Sequence, residues 1–531
     1  MRTRVDDERS PTARPIRQQQ LGLRRGRSPL GAAGLLLGAL ACSSPDIEGM
    51  VFSCETNSDC LAGRVCGERD GVRACVPADQ SPISIGMTGP FRGPSGELGV
   101  ELRRGILAEF ERVNAEGGVS GRRLQLDSKN DDYDPNLALE AVEALLDIRE
   151  LAPRAGMPDV RGPNGVFALL GSIGTATTLA TAPLANRNGV VLFSPFTGAH
   201  DYLRDGTRAP YIYNFRPGYF DETEVLVDYM ASQRQPRIIS TPPGDSYRRL
   251  LVFAQNDSYG DAGYAGIVDA YNRRAPLPQP DPSQPNPSIA RIGYDREDMA
   301  SVEPAIERAI AFLSALLDET AAPASANVAT GSGAASVSVG IIMIDTYQPA
   351  NQFIRAVKDW LNADATRASR LDVLFSHVSF VGADALAALL SSPPSDYADV
   401  TNPARRKSYA DGVLITEVVP SFESEALGIA GYRRDIDRFD GGNYGFTSLE
   451  GYLTARLFTQ ALGLCPELST ESLRNTLDTR LTDVDLGIGV KVGFSSIDHQ
   501  ASHTVWGSIL RADGRIDVPF MWTPETGIRP N

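Results

Sequence analysis

From Ser81 to Trp522 the chain alternates short apolar runs with stretches whose apolar residues recur at helical spacing. Runs this apolar, separated by helices, are typical of parallel strands that are covered on both faces. The strand candidates are residues 83–87, 124–126, 166–171, 190–193, 250–253, 339–344 and 412–416. Because a single sheet does not comfortably hold them all, the pattern predicts an α/β protein with two parallel-sheet lobes.

Helix and loop signals agree with this division. Residues 102–113 place their apolar side chains on one helical face, and Asp134-Pro135 has the residues expected at a helix N-cap and first turn. Stretches rich in proline, serine or alanine interrupt the rhythm and are expected to be surface loops or linkers. They are residues 276–287, 321–338 and 391–408.

The charge balance limits the partners. The 531 residues carry a formal net charge of −15, and the first 41 contain eight arginines and three acids, so the remainder is more acidic still. A chain this acidic is a poor candidate for binding nucleic acid or anionic lipid through a basic face. We therefore expect no nucleic-acid partner.

The N-terminus predicts export. Arginines precede the apolar run at residues 30–41, which is too short to cross a bilayer and is followed by Cys42. Residues 39–42, Ala-Leu-Ala-Cys, resemble a lipobox, but they also suit the ordinary signal peptidase, which would cut the same bond. We expect residues 1–41 to be a signal peptide and Cys42 to be lipid-anchored, the alternative being a soluble secreted protein.

Residues 42–80 hold the anchor site Cys42 and a short module in which four further cysteines crowd together. Cys54, Cys60, Cys66 and Cys75 follow the spacing C-x5-C-x5-C-x8-C, and export favours disulfides over free thiols. Four cysteines allow three pairings, among which the sequence does not choose. A zinc site is disfavoured because no closely spaced C-x2-4-C pair is present. The module is expected to be a spacer that disulfides hold together.

Catalytic motifs are scarce in this sequence. No H-E-x-x-H, G-x-S-x-G or P-loop pattern occurs, so the common hydrolase and nucleotidase signatures are missing. His499 and His503 have metal-ligand spacing only on a helix, whereas residues 490–510 predict strand and loop. No catalytic residue, metal or cofactor is predicted.

Several segments, in order, resemble the type I periplasmic substrate-binding proteins of ABC transporters, specifically the branched-chain amino-acid and amide group. They include Ile85-Gly-Met-Thr-Gly-Pro-Phe91, Asp131-Asp-Tyr-Asp-Pro135, Ser194-Pro-Phe-Thr-Gly-Ala199, Asp257-Ser-Tyr-Gly260, Ser448-Leu-Glu-Gly-Tyr452 and residues 494–503. The resemblance implies two Rossmann-like lobes joined by a three-crossing hinge. Lobe one would hold residues 81–215 and 420–495, and lobe two residues 216–419 and 496–531.

The resemblance also implies the ligand site. Thr175 falls where the family uses a hydroxyl to bind the ligand carboxylate, with backbone N–H groups from Ala176 and Thr177. Phe196, Thr197 and Gly198 fall on a second ligand loop, and Tyr259 and Tyr347 match two tyrosines of lobe two that close over the ligand. For either threonine the alternative is ordinary helix capping.

One departure concerns the charge of the ligand. In the family, the carboxylate that binds the ligand's ammonium group lies in the loop after the strand that here spans residues 371–379. No acid appears in that loop, and Asp372 lies near the start of the strand instead. Because an unpaired buried ammonium is costly, either Asp345 or Asp257 substitutes, or the ligand is not an ordinary α-amino acid.

We therefore expect a non-enzymatic binding protein on the periplasmic side of a bacterial membrane. It would capture a small amino-acid-like or amide-like ligand by domain closure and deliver it to an ABC permease. A receptor that reports the ligand to a membrane sensor is the first alternative, and a secreted hydrolase is a more distant one.

Overall fold

The computed structural model describes most of the chain from Phe52 to Asn531. The described residues are 52–54, 59–61, 64–69, 72–77, 81–154, 157–199, 202–234, 238–239, 250–274, 289–321, 337–402 and 404–531. The predicted signal peptide, the predicted acylation site Cys42 and the proline-rich stretch 276–287 lie outside them. Among the helices of this part of the chain, none is both long and apolar enough to cross a bilayer.

Helices and strands alternate through the described residues. The helices are α1 (Gly96–Ala115), α2 (Pro135–Leu145), α3 (Thr175–Arg187), α4 (Tyr219–Asp228), α5 (Ser258–Arg274), α6 (Val302–Ala321), α7 (Tyr347–Asn362), α8 (Ala365–Arg370), α9 (Ala383–Leu390), α10 (Leu427–Phe439), α11 (Phe446–Leu464) and α12 (Thr470–Arg480). The strands of the first half are β1 (Arg64–Arg69), β2 (Val72–Pro77), β3 (Ile83–Gly89), β4 (Leu124–Asn130), β5 (Ile148–Glu150), β6 (Val160–Arg161), β7 (Ala168–Leu170), β8 (Leu192–Phe193), β9 (Ile212–Tyr213) and β10 (Leu250–Gln255). Those of the second half are β11 (Ile289–Tyr294), β12 (Val337–Ile344), β13 (Leu371–His377), β14 (Asp396–Ala398), β15 (Arg406–Ser408), β16 (Leu414–Glu417), β17 (Val484–Asp485), β18 (Lys491–Val492), β19 (Val505–Leu510), β20 (Ile516–Thr523) and β21 (Gly527–Pro530).

The cysteine module is a small antiparallel hairpin of β1 and β2. Disulfides join Cys54 to Cys66 and Cys60 to Cys75, so the expected cross-links are present and one of the three pairings is selected. Both bridges tie the segment before the hairpin to one of its strands. This module has too little apolar surface for a core of its own, which is the situation in which disulfides replace packing.

Two sheets organise the rest of the molecule. The first has the order β4-β3-β7-β8-β9 and is parallel throughout. The second has the order β11-β10-β12-β13-β16-β19-β20-β21, and its first five strands are parallel. All residues of β10 and β12 are buried, as expected for strands covered on both faces. The predicted α/β fold with two parallel-sheet lobes is confirmed, and each sheet with its helices is called a lobe below.

The second sheet carries an extension that the sequence pattern did not predict. Strands β19, β20 and β21 join it antiparallel. The connections from β19 to β20 and from β20 to β21 are too short for a crossover helix, and tight turns join only antiparallel neighbours. The stretch at 391–408, expected to be a surface loop, contains the hairpin of β14 and β15, so that expectation was wrong there.

The chain crosses between the lobes three times. It leaves the first lobe after β9 for α4, returns after β16 for α10, and leaves again between β18 and β19. In the returning segment α11 lies against α1, where a Cβ added at Gly105 would lie 1.9 Å from the Ser448 carbonyl oxygen. Only glycine permits this approach. The lobe boundaries given above stay a prediction.

Candidate functional site

Thr175 is the first residue of α3 and points its hydroxyl away from solvent. It follows Gly174, whose φ of 103° is a left-handed conformation, and an added Cβ there would lie 2.5 Å from a ring carbon of Tyr133. Glycine is therefore required at 174 to bring the helix N-terminus to this position. The first N–H groups of a helix have no partner within it, so the N–H groups in the Thr175–Thr177 turn have no acceptor in α3.

The two threonines predicted to bind the ligand are brought together. The hydroxyl oxygens of Thr175 and Thr197 lie 2.7 Å apart, and both side chains are fully buried. Thr197 also accepts a hydrogen bond from the Ala199 N–H at 3.1 Å. The Thr177 hydroxyl donates instead to carbonyls of its own turn, including that of Gly174 at 3.0 Å, and Ala176 is half-buried. The Thr177 hydroxyl is therefore already used, and only its backbone N–H could take part in the predicted ligand contact.

The second ligand loop is fixed by backbone contacts to the start of α3. Phe196 donates its N–H to the Ser172 carbonyl at 2.6 Å and accepts from the Gly174 N–H at 3.1 Å. Gly198 lies beneath the ring of Tyr219, which an added Cβ would approach to 2.3 Å. Phe196, Thr197 and Gly198 are therefore one rigid wall beside Thr175.

An aromatic cluster joins this wall to the second lobe. The Phe380 ring, from the turn after β13, lies 5.3 Å from Phe196, 4.7 Å from Tyr259 and 6.3 Å from Tyr133. Tyr219 lies 5.3 Å from Tyr259. All five side chains are buried. Phe380, Tyr133 and Tyr219 were missed from the sequence, because aromatic residues after strands are most often ordinary core.

The two predicted tyrosines of the second lobe have different positions. Tyr259 is inside the aromatic cluster, and its hydroxyl donates to the Asp345 carbonyl at 3.0 Å. Tyr347 is at the start of α7, away from that cluster, and its hydroxyl accepts a hydrogen bond from the Glu97 N–H of the first lobe at 3.1 Å. Tyr347 thus connects the lobes, and its predicted contact with the ligand stays a prediction.

The two candidate substitutes for the missing acid are both engaged. The Asp345 carboxylate is fully buried and lies 3.0 Å from His377 Nδ1. Burial raises the pKa of Asp345, and His377 opposes that rise. Asp257 accepts from the Tyr259 N–H at 2.9 Å at the start of α5 and lies 3.3 Å from Arg296. Asp257 therefore caps a helix.

Charged residues at the hinge were not anticipated. Arg204 is buried and donates to the carbonyls of Thr197, Ala199 and Arg216, which ties the second ligand loop to the first crossing. Burial lowers the pKa of Arg204 to about 10. Arg204 could not be recognised from the sequence, because an arginine between two apolar segments is equally typical of an exposed loop.

The two histidines with metal-like spacing have separate surroundings. His499 is buried with its Nδ1 2.7 Å from the Ile212 carbonyl and its Nε2 3.2 Å from Asp478. His503 lies 3.5 Å from Asp221 and 3.4 Å from Asp498, whose hydrogen bonds raise its pKa to about 9. Both lie in the third crossing, between β18 and β19, and the expected non-helical structure is confirmed.

Comparison with known proteins identifies this architecture. Residues 82–285 match a family model described as periplasmic binding protein. Leu/Ile/Val-binding protein homolog 7 of Brucella abortus (strain 2308) is 25% identical over 178 residues, which cover 34% of this chain and 39% of that protein. Homolog 3 of Brucella melitensis biotype 1 is 20% identical over 36% of this chain and 44% of that protein. The matches thus span less than half of these relatives.

Solved structures match over most of both chains. One described as a possible leucine/isoleucine/valine-binding protein from Rhodopirellula baltica SH 1 is 27% identical, with a TM-score of 0.62, and covers 83% of this chain and 97% of that one. LivJ of Streptococcus pneumoniae in complex with isoleucine is 12% identical, with a TM-score of 0.56, and covers 85% and 100%. The chain therefore has the type I periplasmic binding protein fold, and its resemblance to the leucine/isoleucine/valine-binding group of that family is confirmed.

Proposed function

We propose that this protein is an exported solute-binding protein that captures a small amino-acid-like or amide-like ligand between its lobes. Closure of the lobes over the ligand presents a surface that an ABC permease engages. The ligand stabilises the closed arrangement only by the difference between its affinities for the closed and open states. No chemical step on the ligand is proposed.

The observation that carries the proposal is the buried pair of hydroxyls of Thr175 and Thr197, 2.7 Å apart at the start of α3. Two hydroxyls beside free helix N–H groups suit a carboxylate, because they bind an anion without burying a full countercharge. The contact between Phe196, next to Thr197, and Phe380 of the second lobe supports the proposal. A ligand held there would touch both lobes, as capture by closure requires.

The test is calorimetric titration of the purified protein with leucine, isoleucine, valine and their amides, alongside mass spectrometry of any ligand released on denaturation. Thr175→Val should reduce affinity by about 5- to 150-fold, since a hydroxyl partner is lost in a desolvated site. Thr181→Val is the matched control, because Thr181 is equally buried in α3 but donates to the Thr177 carbonyl. Equal affinities of Thr175→Val and the wild type would reject the site.

Anchoring is part of the proposal and has its own test. If Cys42 carries acyl chains, the mature protein should sediment with membranes, because each buried CH₂ contributes about 0.8 kcal/mol. Cys42→Ser should move the protein to the soluble fraction. An unchanged membrane fraction would remove the anchoring role from this thiol. A sensor partner instead of a permease would show itself as ligand-dependent capture of a membrane kinase.

A further inference from the structure

The first hinge crossing and the start of α4 hold three buried polar side chains with unsatisfied atoms. Arg216, Tyr219 and Glu222 are each 0% exposed. Within the described residues, Arg216 Nε and Nη1, the Tyr219 hydroxyl and Glu222 Oε1 have no hydrogen-bond partner. Leaving a buried polar group without a partner is costly, and a group of them close together indicates a partner from outside the chain.

Glu222 is held in one defined orientation. Its Oε2 accepts from the Ser379 N–H at 2.7 Å and from the Thr416 hydroxyl at 2.7 Å. Oε1 of the same carboxylate is the oxygen left without a partner. One oxygen therefore fixes the side chain to the second lobe, and the other is free to accept a hydrogen bond from a ligand.

The Glu222 carboxylate borders the proposed ligand site. Ser379, which donates to it, precedes Phe380 of the aromatic cluster in the same turn after β13. Arg216 places its guanidinium 4.4 Å from the ring centre of Phe196, the residue before Thr197, and also hydrogen-bonds to Ser379. Arg216 and Glu222 thus lie next to the aromatic cluster and close to the pair of Thr175 and Thr197.

The buried charges around Arg216 do not balance. Arg216 Nε lies 3.4 Å from Glu450 Oε1, within ion-pair distance but without hydrogen-bond geometry, and Glu222 interacts electrostatically with the same guanidinium. The buried Glu417 interacts with both Arg216 and Glu222, so three carboxylates face one guanidinium. Burial raises the pKa of all three, that of Glu450 to about 7, because removal from water disfavours the ionised form.

The neighbouring cations are hydrogen-bonded elsewhere. Arg204 interacts electrostatically with Glu222 and Glu450, but it donates its hydrogen bonds to backbone carbonyls and to Gln500. His503 lies between Asp221 and Asp498. Ionising the carboxylates around Arg216 is therefore costly, and a bound cation beside them would lower that cost.

We propose that Glu222 is the residue that recognises a cationic amino group of the ligand, through its free Oε1. The bound amino group supplies a further positive charge beside Arg216, and Glu222 thereby selects amines over otherwise identical acids. This assignment rests on the proposed function, because it places the ligand between the lobes. Asp345 also has a buried oxygen without a hydrogen-bond partner among the described residues, Oδ2, but its other oxygen faces His377. Glu222, in contrast, borders the aromatic cluster through Ser379. Asp257 is a weaker candidate because it caps a helix.

The test compares ligands that differ only in the amino group. Calorimetric titrations would use leucine with 4-methylpentanoate, phenylalanine with 3-phenylpropanoate, and glutamate with glutarate, on the wild type, Glu222→Gln and Glu450→Gln. Glu222→Gln keeps the side-chain shape and an acceptor for Ser379 and Thr416. Glu450→Gln is the matched control, because it removes an equally buried carboxylate beside Arg216.

For at least one pair, the wild type should bind the amino compound at least about tenfold more tightly than its deamino partner, as expected for a charged hydrogen bond. Glu222→Gln should lose at least about tenfold for that amino compound and less than threefold for its partner. Glu450→Gln should change both by a similar factor. An equal loss for both compounds in Glu222→Gln would indicate a structural role and overturn the assignment.

The wild type alone also tests the assignment, in case Glu222→Gln does not fold. Wild-type protein that binds the deamino compounds as tightly as the amino compounds would overturn the role of Glu222 and leave capture between the lobes intact. Wild-type protein that binds no member of any pair, with no ligand released on denaturation, would reject both proposals.

Discussion

Asp384 offers a direct test of how the proposed lobe closure depends on pH. It is in the first turn of α9 in the second lobe, and its Oδ2 accepts from the Phe446 N–H at 2.7 Å. Phe446 is the first residue of α11, a helix of the first lobe, so one lobe supplies the N-terminal cap for a helix of the other. Gly445 is so close that an added Cβ would lie 2.7 Å from the same carboxylate oxygen. Opening the lobes would hydrate this carboxyl group.

The sign of the effect follows from the direction of the pKa shift. Burial raises the pKa of Asp384 from 3.8 to about 7, although the Phe446 N–H opposes the rise. The closed state therefore binds the proton more tightly than the open state. Closure should be most favourable below the ordinary pKa and should weaken as pH rises towards 7. One pH unit is worth at most about 1.4 kcal/mol in this window, and partial exposure reduces the total to about 1–2 kcal/mol.

The assay is ligand affinity between pH 5 and 8, by calorimetry, with the amino acid that the wild type binds most tightly. Asp384→Asn keeps a carbonyl oxygen for the Phe446 N–H but cannot ionise, so its affinity should exceed that of the wild type by about 5- to 30-fold at pH 8. The ratio should be smaller at pH 5 than at pH 8 and should disappear only as pH approaches the ordinary pKa of 3.8. Taking the ratio of affinities removes contributions from other groups, such as Glu450.

Asp364→Asn is the matched control, because Asp364 caps α8 within a single lobe and accepts from the Thr366 N–H at 2.8 Å. The ratio of the affinities of Asp364→Asn and the wild type should not change with pH. Parallel pH profiles of the wild type and Asp384→Asn would refute the reasoning. So would a ratio that falls with rising pH.

Three further outcomes are expected. Tyr347→Phe removes the acceptor of the Glu97 N–H, so ligand-induced compaction in small-angle scattering should decrease, and unchanged compaction would contradict a role in closure. Gly105→Ala should destabilise the protein by several kcal/mol in chemical denaturation, because the new Cβ would overlap the Ser448 carbonyl, and a loss below about 1 kcal/mol would contradict the close helix contact. Reducing the two disulfides should make residues 52–77 protease-sensitive and leave ligand affinity unchanged, whereas lost affinity would show that the module contributes to the site.

The fold was largely predictable because its signals are local. Buried parallel strands require continuous apolar runs, and the runs at 250–253 and 339–344 became central strands of the second sheet. Asp134 caps α2 as predicted, since its side chain accepts from the Asn136 and Leu137 N–H groups. The antiparallel edge was missed because β20 alternates buried and exposed residues. Period-two alternation specifies a strand but not its partner.

The site was predictable only where a residue's role is tied to a local motif. Thr175 follows a glycine at a strand–helix junction, and that pattern is visible along the chain. Phe380, Glu222 and Glu450 approach one another from three separate elements, and nothing in their own neighbourhoods marks them as a cluster. Their significance depends on burial and on the balance of charge, both of which exist only after the lobes have come together.

The contacts between the lobes suggest why a small ligand would control closure. They include single hydrogen bonds, such as Ser95 to Glu297 at 2.6 Å, Glu97 to Tyr347 and Phe446 to Asp384. Each such bond contributes about 0.5–1.5 kcal/mol net, because water satisfies the same groups in the open state. Against this small gain stands the cost of burying Glu297 and Asp384, whose pKa values burial raises. Closure without ligand should therefore lie near balance, so that a ligand with a few kcal/mol of preference for the closed state decides the outcome.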